Sequence, residues 1–344
     1  DFDRMEEVAS YCPSEYSFVM LSFQFIPSMI NESCWWVGTH WDGRLHTWAM
    51  DAIIAIVEET LSTALVANLD PDISLDPNRA YLFGHSIGGT GAFQIALRNP
   101  ELFAAVHAHS GFTTFTPDDE VFRPIFETEI VGTTAEAVQI ATASGNVSAR
   151  EYTDLICYLE NYFDNTISLP FLSMTAGTAD ELIDPVYGAD RLVRVMDELK
   201  QGFFYHRHNG EHSEDCFMQL NWLFNFRKNQ SYLVFTDRSG YGIAEGEFVG
   251  MGTWEGYVSG GINDLYEMGW DPSSVTDTVS EYSVQLTGSG TADCTIRNLQ
   301  NFTVTPLTEY RYSVNNGTTE YVTSDEDALI TLLNCSGGDF LKVW

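Results

Sequence analysis

The distribution of apolar residues along the chain changes near residue 228. Before this point, short apolar runs alternate with stretches in which apolar residues recur every three or four positions. The runs are typical of buried strands, and the stretches are typical of helices that pack on a sheet. The alternation predicts an α/β fold, a mostly parallel sheet with helices on both faces. The predicted strands are Ser17–Ile26, Ala80–Phe83, Phe103–His109, Pro170–Ala176 and Gly202–His208, and the predicted helices include Thr47–Ala67, Tyr187–Lys200 and Cys216–Phe226.

The last third of the chain has the period of two that is typical of half-buried strands, as in Tyr282–Leu286 and Tyr310–Val314. We therefore predict an α/β domain over residues 1–228 and an all-β, sandwich-like accessory module over residues 229–344. Residues 112–169 are irregular. We expect them to contain short helices near 134–142 and 149–163, and to form a cap over the functional site.

The charge balance narrows the set of partners. Lysine and arginine number 16 against 49 aspartate and glutamate residues, which gives a net charge of −33. A surface this acidic repels nucleic acid and anionic membranes. No apolar stretch is long enough to span a bilayer. We therefore expect no nucleic acid among the partners and no membrane span.

The cysteines and glycosylation sequons suggest a secreted glycoprotein with disulfides. The chain does not begin with methionine, so we expect a mature or truncated product. Because no Cys-x-x-Cys pair or zinc-type spacing occurs, we expect no metal. The predicted disulfide is Cys294–Cys335, with Cys12–Cys34 and Cys157–Cys216 as the pairing of the other four cysteines. The sequons begin at Asn31, Asn146, Asn229, Asn301, Asn316 and Asn334.

One serine stands inside a glycine-rich turn between a predicted strand and a predicted helix. It is Ser86, in the run Tyr81–Gly91, YLFGHSIGGTG. A G-x-S-x-G sequence in this context is typical of a nucleophile elbow, a strained turn that exposes a serine hydroxyl. We expect that a side chain at Gly84 or Gly88 would clash with the tight turn. We also expect the amide of Ile87, at the helix start, to face a developing oxyanion.

A nucleophilic serine needs a base in contact and a carboxylate that orients the base. In elbow-type sheets the acid and then the histidine come later in the chain, each in a loop after a strand. Asp180 follows the predicted strand Pro170–Ala176 in a Gly-Thr-Ala-Asp turn, and His212 follows the strand Gly202–His208. We therefore predict Ser86 as nucleophile, His212 as base and Asp180 as the orienting acid.

Other residues compete for these roles. Asp184 is a rival acid, although Asp180 follows the strand sooner. His85 lies beside the serine, and we expect it to shape the substrate pocket rather than to act as the base. The remaining candidates lie within predicted strands and are expected to be structural: His107, His109, His206 and His208.

The run Asp76–Gly111 resembles the core of secreted α/β-hydrolase esterases of the polyhydroxybutyrate-depolymerase and feruloyl-esterase type. The turn that contains Asp180, the late His212 and the cluster Cys34-Trp35-Trp36 resemble the same family, so that the resemblance covers residues 1–226. It implies hydrolysis of carboxylic esters through a serine acyl-enzyme, with no metal or organic cofactor. It also implies that Trp35 and Trp36 lie on a substrate loop, which suits an aryl, polymeric or carbohydrate-linked ester.

The chain departs from this family at its N-terminus. In the family, an earlier strand ends in a His-Gly loop that donates the second oxyanion amide. That strand lies between the two matched here by Ser17–Ile26 and Ala80–Phe83, and residues 1–16 contain no such strand. A missing internal strand would leave backbone groups unpaired. We therefore expect an N-terminal fragment, a cleaved partner chain or residues outside this sequence, to complete the sheet.

Two functions of different classes fit these observations. The first is a secreted serine esterase. The second is a non-catalytic structural, adhesive or assembly protein that retains a hydrolase fold, since fold does not guarantee activity. The complete set of serine, histidine and aspartate favours the esterase. Aromatic residues of the C-terminal module either form a polymer-binding face or fill its core: Trp254, Tyr257, Tyr266 and Trp270.

Overall fold

The computed structural model describes residues 21, 38–39, 45–46, 48–62, 75–111, 113, 139–142, 145–148, 154–177, 179–181, 188–208, 210–212, 223–224, 226–237, 256–259 and 268–344. The predicted strand Ser17–Ile26, apart from Leu21, lies outside these residues, and so does the place of the proposed N-terminal fragment. Other predicted residues that lie outside them are Cys12, Cys34, Trp35, Trp36, Asp184, Cys216, Trp254 and Tyr266.

The α-helices of the described residues all precede residue 200, and a short 3-10 helix follows later at Pro272–Ser274. The α-helices are α1 (Trp48–Leu61), α2 (Ile87–Arg98), α3 (Leu155–Asn161) and α4 (Ala189–Glu198). The strands of the same part are β1 (Gly38–Thr39), β2 (Leu45–His46), β3 (Tyr81–His85), β4 (Ala105–His109), β5 (Gln139–Thr142), β6 (Gly145–Ser148), β7 (Phe171–Gly177), β8 (Phe203–His208) and β9 (Tyr232–Thr236).

Most of the predicted elements in this part are confirmed within a few residues, and one is wrong. The region near 134–142 was expected to be helical, but β5 and β6 form an antiparallel hairpin in which Ile140 pairs with Val147. β-branched residues such as these favour the pleated surface of a strand over a helix. The second expected cap helix is confirmed in part as α3.

The later part of the chain is built from antiparallel strands, as predicted. They are β10 (Gly256–Ser259), β11 (Met268–Trp270), β12 (Thr276–Asp277), β13 (Tyr282–Gly288), β14 (Thr291–Arg297), β15 (Glu309–Val314), β16 (Glu320–Thr323), β17 (Thr331–Ser336) and β18 (Phe340–Val343). One sheet has the order β11-β13-β18-β15-β16 with β12 paired to β13, and a second has the order β17-β14-β9. Trp270 is buried between strands rather than exposed as part of a binding face.

The central sheet has the order β10-β8-β7-β4-β3. Strands β3, β4, β7 and β8 are parallel, so their carboxyl ends meet at one edge of the sheet. Strand β10, from the later part of the chain, pairs antiparallel with β8. The division at residue 228 stays a prediction, but the central sheet takes strands from both sides of it.

One face of the central sheet is covered by the helices. Leu172 and Met174 of β7 are fully buried there, in one apolar cluster with residues of all four helices. Strand β8 adds a buried polar network to this face. Asp190 of α4 accepts a hydrogen bond from the Tyr205 hydroxyl at 2.6 Å and pairs with the Arg207 guanidinium at 3.0 Å. Because both oxygens of the carboxylate are satisfied, the network is compatible with burial.

Within the described residues, the opposite face is covered by β-strands of the later part of the chain and by Leu223, Phe224 and Phe226. These three residues end the predicted helix Cys216–Phe226, of which residues 216–222 lie outside the described part, so a helix on this face stays a prediction. One residue from each of three central strands belongs to the apolar core of the C-terminal module: Ala105 of β4, Phe171 of β7 and Phe204 of β8. The side chains of a strand alternate between faces, so the residues that point away from the helices must find a second apolar partner. The apolar faces of β9 and β14 supply it.

Arg297, at the end of β14, fixes this packing. Its side chain is only 1% exposed, and it donates to the main-chain oxygen of Asn165 at 2.8 Å and to that of Lys200 at 2.9 Å. It also donates to the carbonyl of Leu199 and, at 2.8 Å, to the side-chain oxygen of Asn165. Burial lowers the pKa of Arg297 to about 10. The guanidinium therefore stays charged at neutral pH while it joins the module to the loops around the helical layer.

The predicted Cys294–Cys335 disulfide is not formed, and both residues are buried free thiols. Strands β14 and β17 pair Ala292 with Cys335 and Cys294 with Leu332, with an irregularity between them, so the two cysteines are not direct cross-strand partners. Each thiol also contacts a main-chain oxygen. A hydrogen bond with Cys335, and then burial, raise the pKa of Cys294.

Candidate active site

The backbone of Ser86 has the strained geometry expected of an elbow. It lies between β3 and α2 with φ 56° and ψ −123°, a conformation that side-chain-bearing residues rarely adopt. Its amide donates to the carbonyl of His109 at 2.9 Å, which joins the turn to the end of β4. Ile87 is the first residue of α2, where amides have no partner within the helix.

The glycines around the serine are explained by close backbone contacts, with one difference from expectation. A Cβ atom at Gly84 would lie 1.9 Å from the carbonyl oxygen of Gly88, so Gly84 is required, as predicted. A Cβ at Gly88 itself would meet nothing within 4 Å, so the predicted clash there is wrong. The tight position is Gly89, where a Cβ would lie 2.8 Å from the His109 oxygen.

The predicted acid and base meet in space. His212 Nδ1 and Asp180 Oδ2 are 2.8 Å apart, although the residues are 32 positions apart in sequence. Asp180 is buried, with its side chain 1% exposed, while the His212 side chain is 17% exposed. A carboxylate can only accept, so Nδ1 carries a proton, and in the neutral ring Nε2 then presents a lone pair. This is the tautomer that a general base requires.

The loops that carry this pair are held together by a close approach that the sequence did not reveal. A Cβ atom at Gly177, the last residue of β7, would lie 2.2 Å from the carbonyl oxygen of Gly210. The same oxygen accepts a hydrogen bond from the Ala179 amide at 3.1 Å. The absence of a side chain at Gly177 therefore lets the acid loop pack directly on the histidine loop.

Two further imidazole rings contact the main chain of His212. His85 Nε2 lies 2.9 Å and His109 Nε2 lies 3.0 Å from its carbonyl oxygen. The ring of His109 also contacts the hydroxyl of Thr175 through Nδ1, and it stacks on His208 with the ring centroids 5.6 Å apart. Sequence analysis missed His109 as part of the site. One sequence feature could have identified it: His109 is the last residue of β4, the strand that pairs with β3 just before the elbow.

In the described residues, His212 donates from Nδ1 to Asp180 and its carbonyl oxygen contacts His85 and His109, and the Ser86 hydroxyl is not among its partners. Catalytic hydrogen bonds are often long before substrate binds. The His85 and His212 rings are nevertheless close, with centroids 5.0 Å apart. His85, which directly precedes Ser86 in the chain, thus contacts the predicted base His212.

The described residues contain neither a metal-binding cluster nor a membrane-spanning helix. No group of three or more potential ligand side chains that could hold a metal ion occurs in the described part of the chain. No helix among the same residues is both long and apolar enough to cross a bilayer.

Residues 56–153 match a protein-family model described as "Putative esterase". This segment runs from α1 to just before α3 and includes the elbow. No curated protein matches the chain.

Several solved structures of serine hydrolases match part of the chain. An S-formylglutathione hydrolase from Agrobacterium tumefaciens is 20% identical over 48% of this chain and 54% of its own, with a TM-score of 0.32. The fluorophosphonate-binding serine hydrolase FphF of Staphylococcus aureus is 16% identical over 49% of this chain and 63% of its own, with a TM-score of 0.33. The match therefore spans little more than half the length of these proteins.

Proposed function

We propose that this protein is a secreted serine esterase that hydrolyses carboxylic esters. The observation that carries the proposal is the hydrogen bond between the buried Asp180 and the partly exposed His212, together with a serine whose backbone is strained into an elbow. The match of residues 56–153 to an esterase family supports the same reaction class.

In the proposed acylation step, the Ser86 hydroxyl oxygen attacks the ester carbonyl carbon while His212 Nε2 takes the hydroxyl proton. Asp180 stabilises the imidazolium that forms. The tetrahedral oxyanion is stabilised by the Ile87 amide. A single hydrogen-bond donor to an oxyanion contributes about a hundredfold or more in rate. The carbon–oxygen bond then breaks, and the alcohol leaves with the proton from His212. The acyl group remains bound to the serine as an ester.

In the proposed deacylation step, water takes the place of the alcohol. His212 removes a proton from water, and the resulting hydroxide attacks the acyl carbon. The bond to Ser86 breaks as His212 returns the proton to the serine oxygen. The products are a carboxylic acid and the free enzyme, so no redox or organic cofactor is needed.

The proposed substrates are polymeric, aryl or carbohydrate-linked esters, with Trp35 and Trp36 at the substrate. The net charge of −33 suits an extracellular, salt-containing setting. The sequons permit glycosylation there. A panel of short-chain, aryl and polymeric esters, each with kcat/KM measured, would identify the preferred class.

A fluorophosphonate probe tests the proposal directly. We expect the folded full-length chain to gain one phosphonyl group on the peptide that contains Ser86, detected by mass spectrometry. Ser86→Ala should abolish the label. Ser110→Ala is the matched control, because Ser110 also ends a central strand with a positive φ (46°) but lies outside the proposed machinery.

The same experiment separates the two classes of function. Absence of labelling in a folded sample, together with no hydrolysis of any ester in the panel, would contradict the esterase. It would favour the non-catalytic structural or adhesive protein that keeps the fold.

A further inference from the structure

Two imidazole rings converge on a single main-chain oxygen in this structure. The carbonyl of His212 accepts from His85 Nε2 at 2.9 Å and from His109 Nε2 at 3.0 Å. The two rings also contact each other, with centroids 5.2 Å apart. A carbonyl oxygen has two lone pairs, so this pair of donors uses its full capacity.

The chemistry of the acceptor fixes the tautomer of both rings. A carbonyl cannot donate, so Nε2 carries a proton in each case. In neutral His109, Nδ1 must then accept, and the Thr175 hydroxyl is its donor. Thr175 lies on β7, directly opposite His109 of β4 in the parallel register.

The environment keeps His109 neutral. Its side chain is completely buried. Burial first, and then the nearby rings of His107, His85 and His208, lower the pKa of His109 to about 2. The ring therefore presents the same donor to His212 across the pH range in which proteins normally work.

Both rings are also tied to the nucleophile. His85 is the peptide neighbour of Ser86, and the carbonyl of His109 accepts the Ser86 amide at 2.9 Å. His109 thus holds the nucleophile through its main chain and the base through its side chain. Asp180 orients the His212 ring through Nδ1 but leaves the position of the His212 backbone to other contacts.

We infer that His85 and His109 are positioning residues that clamp the main chain of His212 and so set the distance between the base and the Ser86 hydroxyl. This inference rests on the proposed esterase function. It also revises the sequence-based expectation for both residues: His85 was assigned to the substrate pocket, and His109 was assigned a purely structural role.

The first test measures tautomers and needs no activity. The protein has eight histidines, so ¹⁵N-histidine labelling and long-range ¹H–¹⁵N spectra can resolve each ring. We expect His109 to be protonated at Nε2 only, and unchanged between pH 5 and pH 8. A proton on Nδ1 of His109 would overturn the inference, whether or not the chain is an esterase.

The second test compares two amides at residue 109. Gln places its side-chain nitrogen near the position of Nε2, whereas Asn reaches only the position of Nδ1. We expect His109→Asn to lower kcat by about 10- to 100-fold with KM changed less than about threefold, because a small misplacement of the base has this effect. His109→Gln should restore most of the loss.

His107 provides the matched control. It lies on the same strand, is equally buried and contacts a hydroxyl of β7, Ser173, at 2.9 Å, but its ring is not bonded to His212. His107→Asn should therefore have a kcat per folded molecule within about threefold of the wild type. Its unfolding free energy should fall by about as much as that of His109→Asn. If His109→Asn does not fold, the pair His85→Asn and His85→Gln provides the same comparison from the other ring.

Two kinetic outcomes would overturn the clamp. One is equal loss in His109→Asn and His109→Gln, and the other is equal loss in His109→Asn and His107→Asn. Both require an active wild-type protein. A wild type that neither reacts with the fluorophosphonate nor hydrolyses any ester would instead remove the proposed function, and the tautomer measurement would still decide the clamp.

Discussion

The two faces of the central sheet differ in how their chemistry changes along the strands. On the helical face, β7 presents Leu172, Met174 and Ala176, all buried and apolar from one end to the other. On the opposite face, the same strand presents Phe171 and then two hydroxyl-bearing residues, Ser173 and Thr175. Its neighbours follow the same gradient, ending in imidazoles: Ala105, His107 and His109 on β4, and Phe204, His206 and His208 on β8.

Because of this difference, the same strands carry residues that stabilise the fold and, at other positions, residues that contribute to the candidate active site. The apolar residues of both faces contribute burial free energy. The polar network of the helical face is confined to β8 and α4, whereas the carboxyl end of the opposite face gathers imidazoles and hydroxyls that need partners when buried. Those partners are found between strands, as in the His107–Ser173 and His109–Thr175 pairs. The elbow and the Asp180–His212 pair lie at the same end of the sheet, so the polar gradient leads to the candidate active site.

The largest predicted effect concerns the acid at this polar end. Asp180→Asn keeps the shape of the side chain but removes the charge that stabilises an imidazolium. We expect kcat to fall by about 10³- to 10⁴-fold, while the protein stays folded. Steady-state hydrolysis of an aryl ester and circular dichroism measure the two quantities.

The matched control for this prediction is Glu211→Gln, which removes an exposed negative charge from the residue before His212. Its activity should change by less than about twofold, because an exposed charge is screened by water. A similar loss in both variants would mean that net charge near the loop, rather than the Asp180 contact, governs the rate.

The next effect concerns the helical face. Leu172 is fully buried in the helical core, so Leu172→Ala should lower the unfolding free energy by about 2–5 kcal/mol. The activity of the remaining folded molecules should stay within about twofold, because the side chain points away from the site. Urea unfolding and activity at equal folded concentration measure this separation.

Leu333→Ala controls for the loss of apolar volume, since Leu333 is 67% exposed. It should change the unfolding free energy by less than about 0.5 kcal/mol. If Leu172→Ala lowered activity by more than the folded fraction explains, the two faces would not be separable as described.

The sequence predicted the elements whose signals are local. Gly84 and Ser86 follow from the backbone strain of the elbow, and the order of Asp180 and His212 follows from the parallel topology of the sheet. The four parallel strands followed from their apolar runs. These features depend on residues that are close in sequence or on a general rule of chain order.

What the sequence could not predict depends on packing between distant elements. Nothing in the composition of β14 shows that Arg297 reaches the loops near Asn165, or that β10 extends the central sheet. The contact of His109 with His212 joins residues 103 positions apart and requires the loop register that Gly177 permits. The pairing of Cys294 with Leu332 and of Cys335 with Ala292 likewise depends on strand register, which cysteine spacing does not encode.

The smallest predicted effect is a pH dependence of the unfolding free energy that comes from His109 on the polar face. The pKa of His109 is lowered from 6.5 to about 2 in the folded protein, so between these values the unfolded chain binds more protons. The contribution of His109 to the unfolding free energy is therefore fully present above pH 6.5 and is lost as the pH falls below that value. From pH 7 to pH 5 this one group should lower the unfolding free energy by about 2 kcal/mol.

Urea unfolding of the wild type and of His109→Gln at both pH values measures this contribution as a difference of differences. The Gln variant keeps a donor for His212 but has no group that titrates in this range, so its loss between pH 7 and pH 5 should be smaller by about 2 kcal/mol. Equal losses in the two proteins would mean that His109 is protonated as readily in the folded chain as in the unfolded one. The ring could then not be held as a neutral donor between Thr175 and His212, because a protonated ring has no lone pair to accept the Thr175 hydroxyl proton.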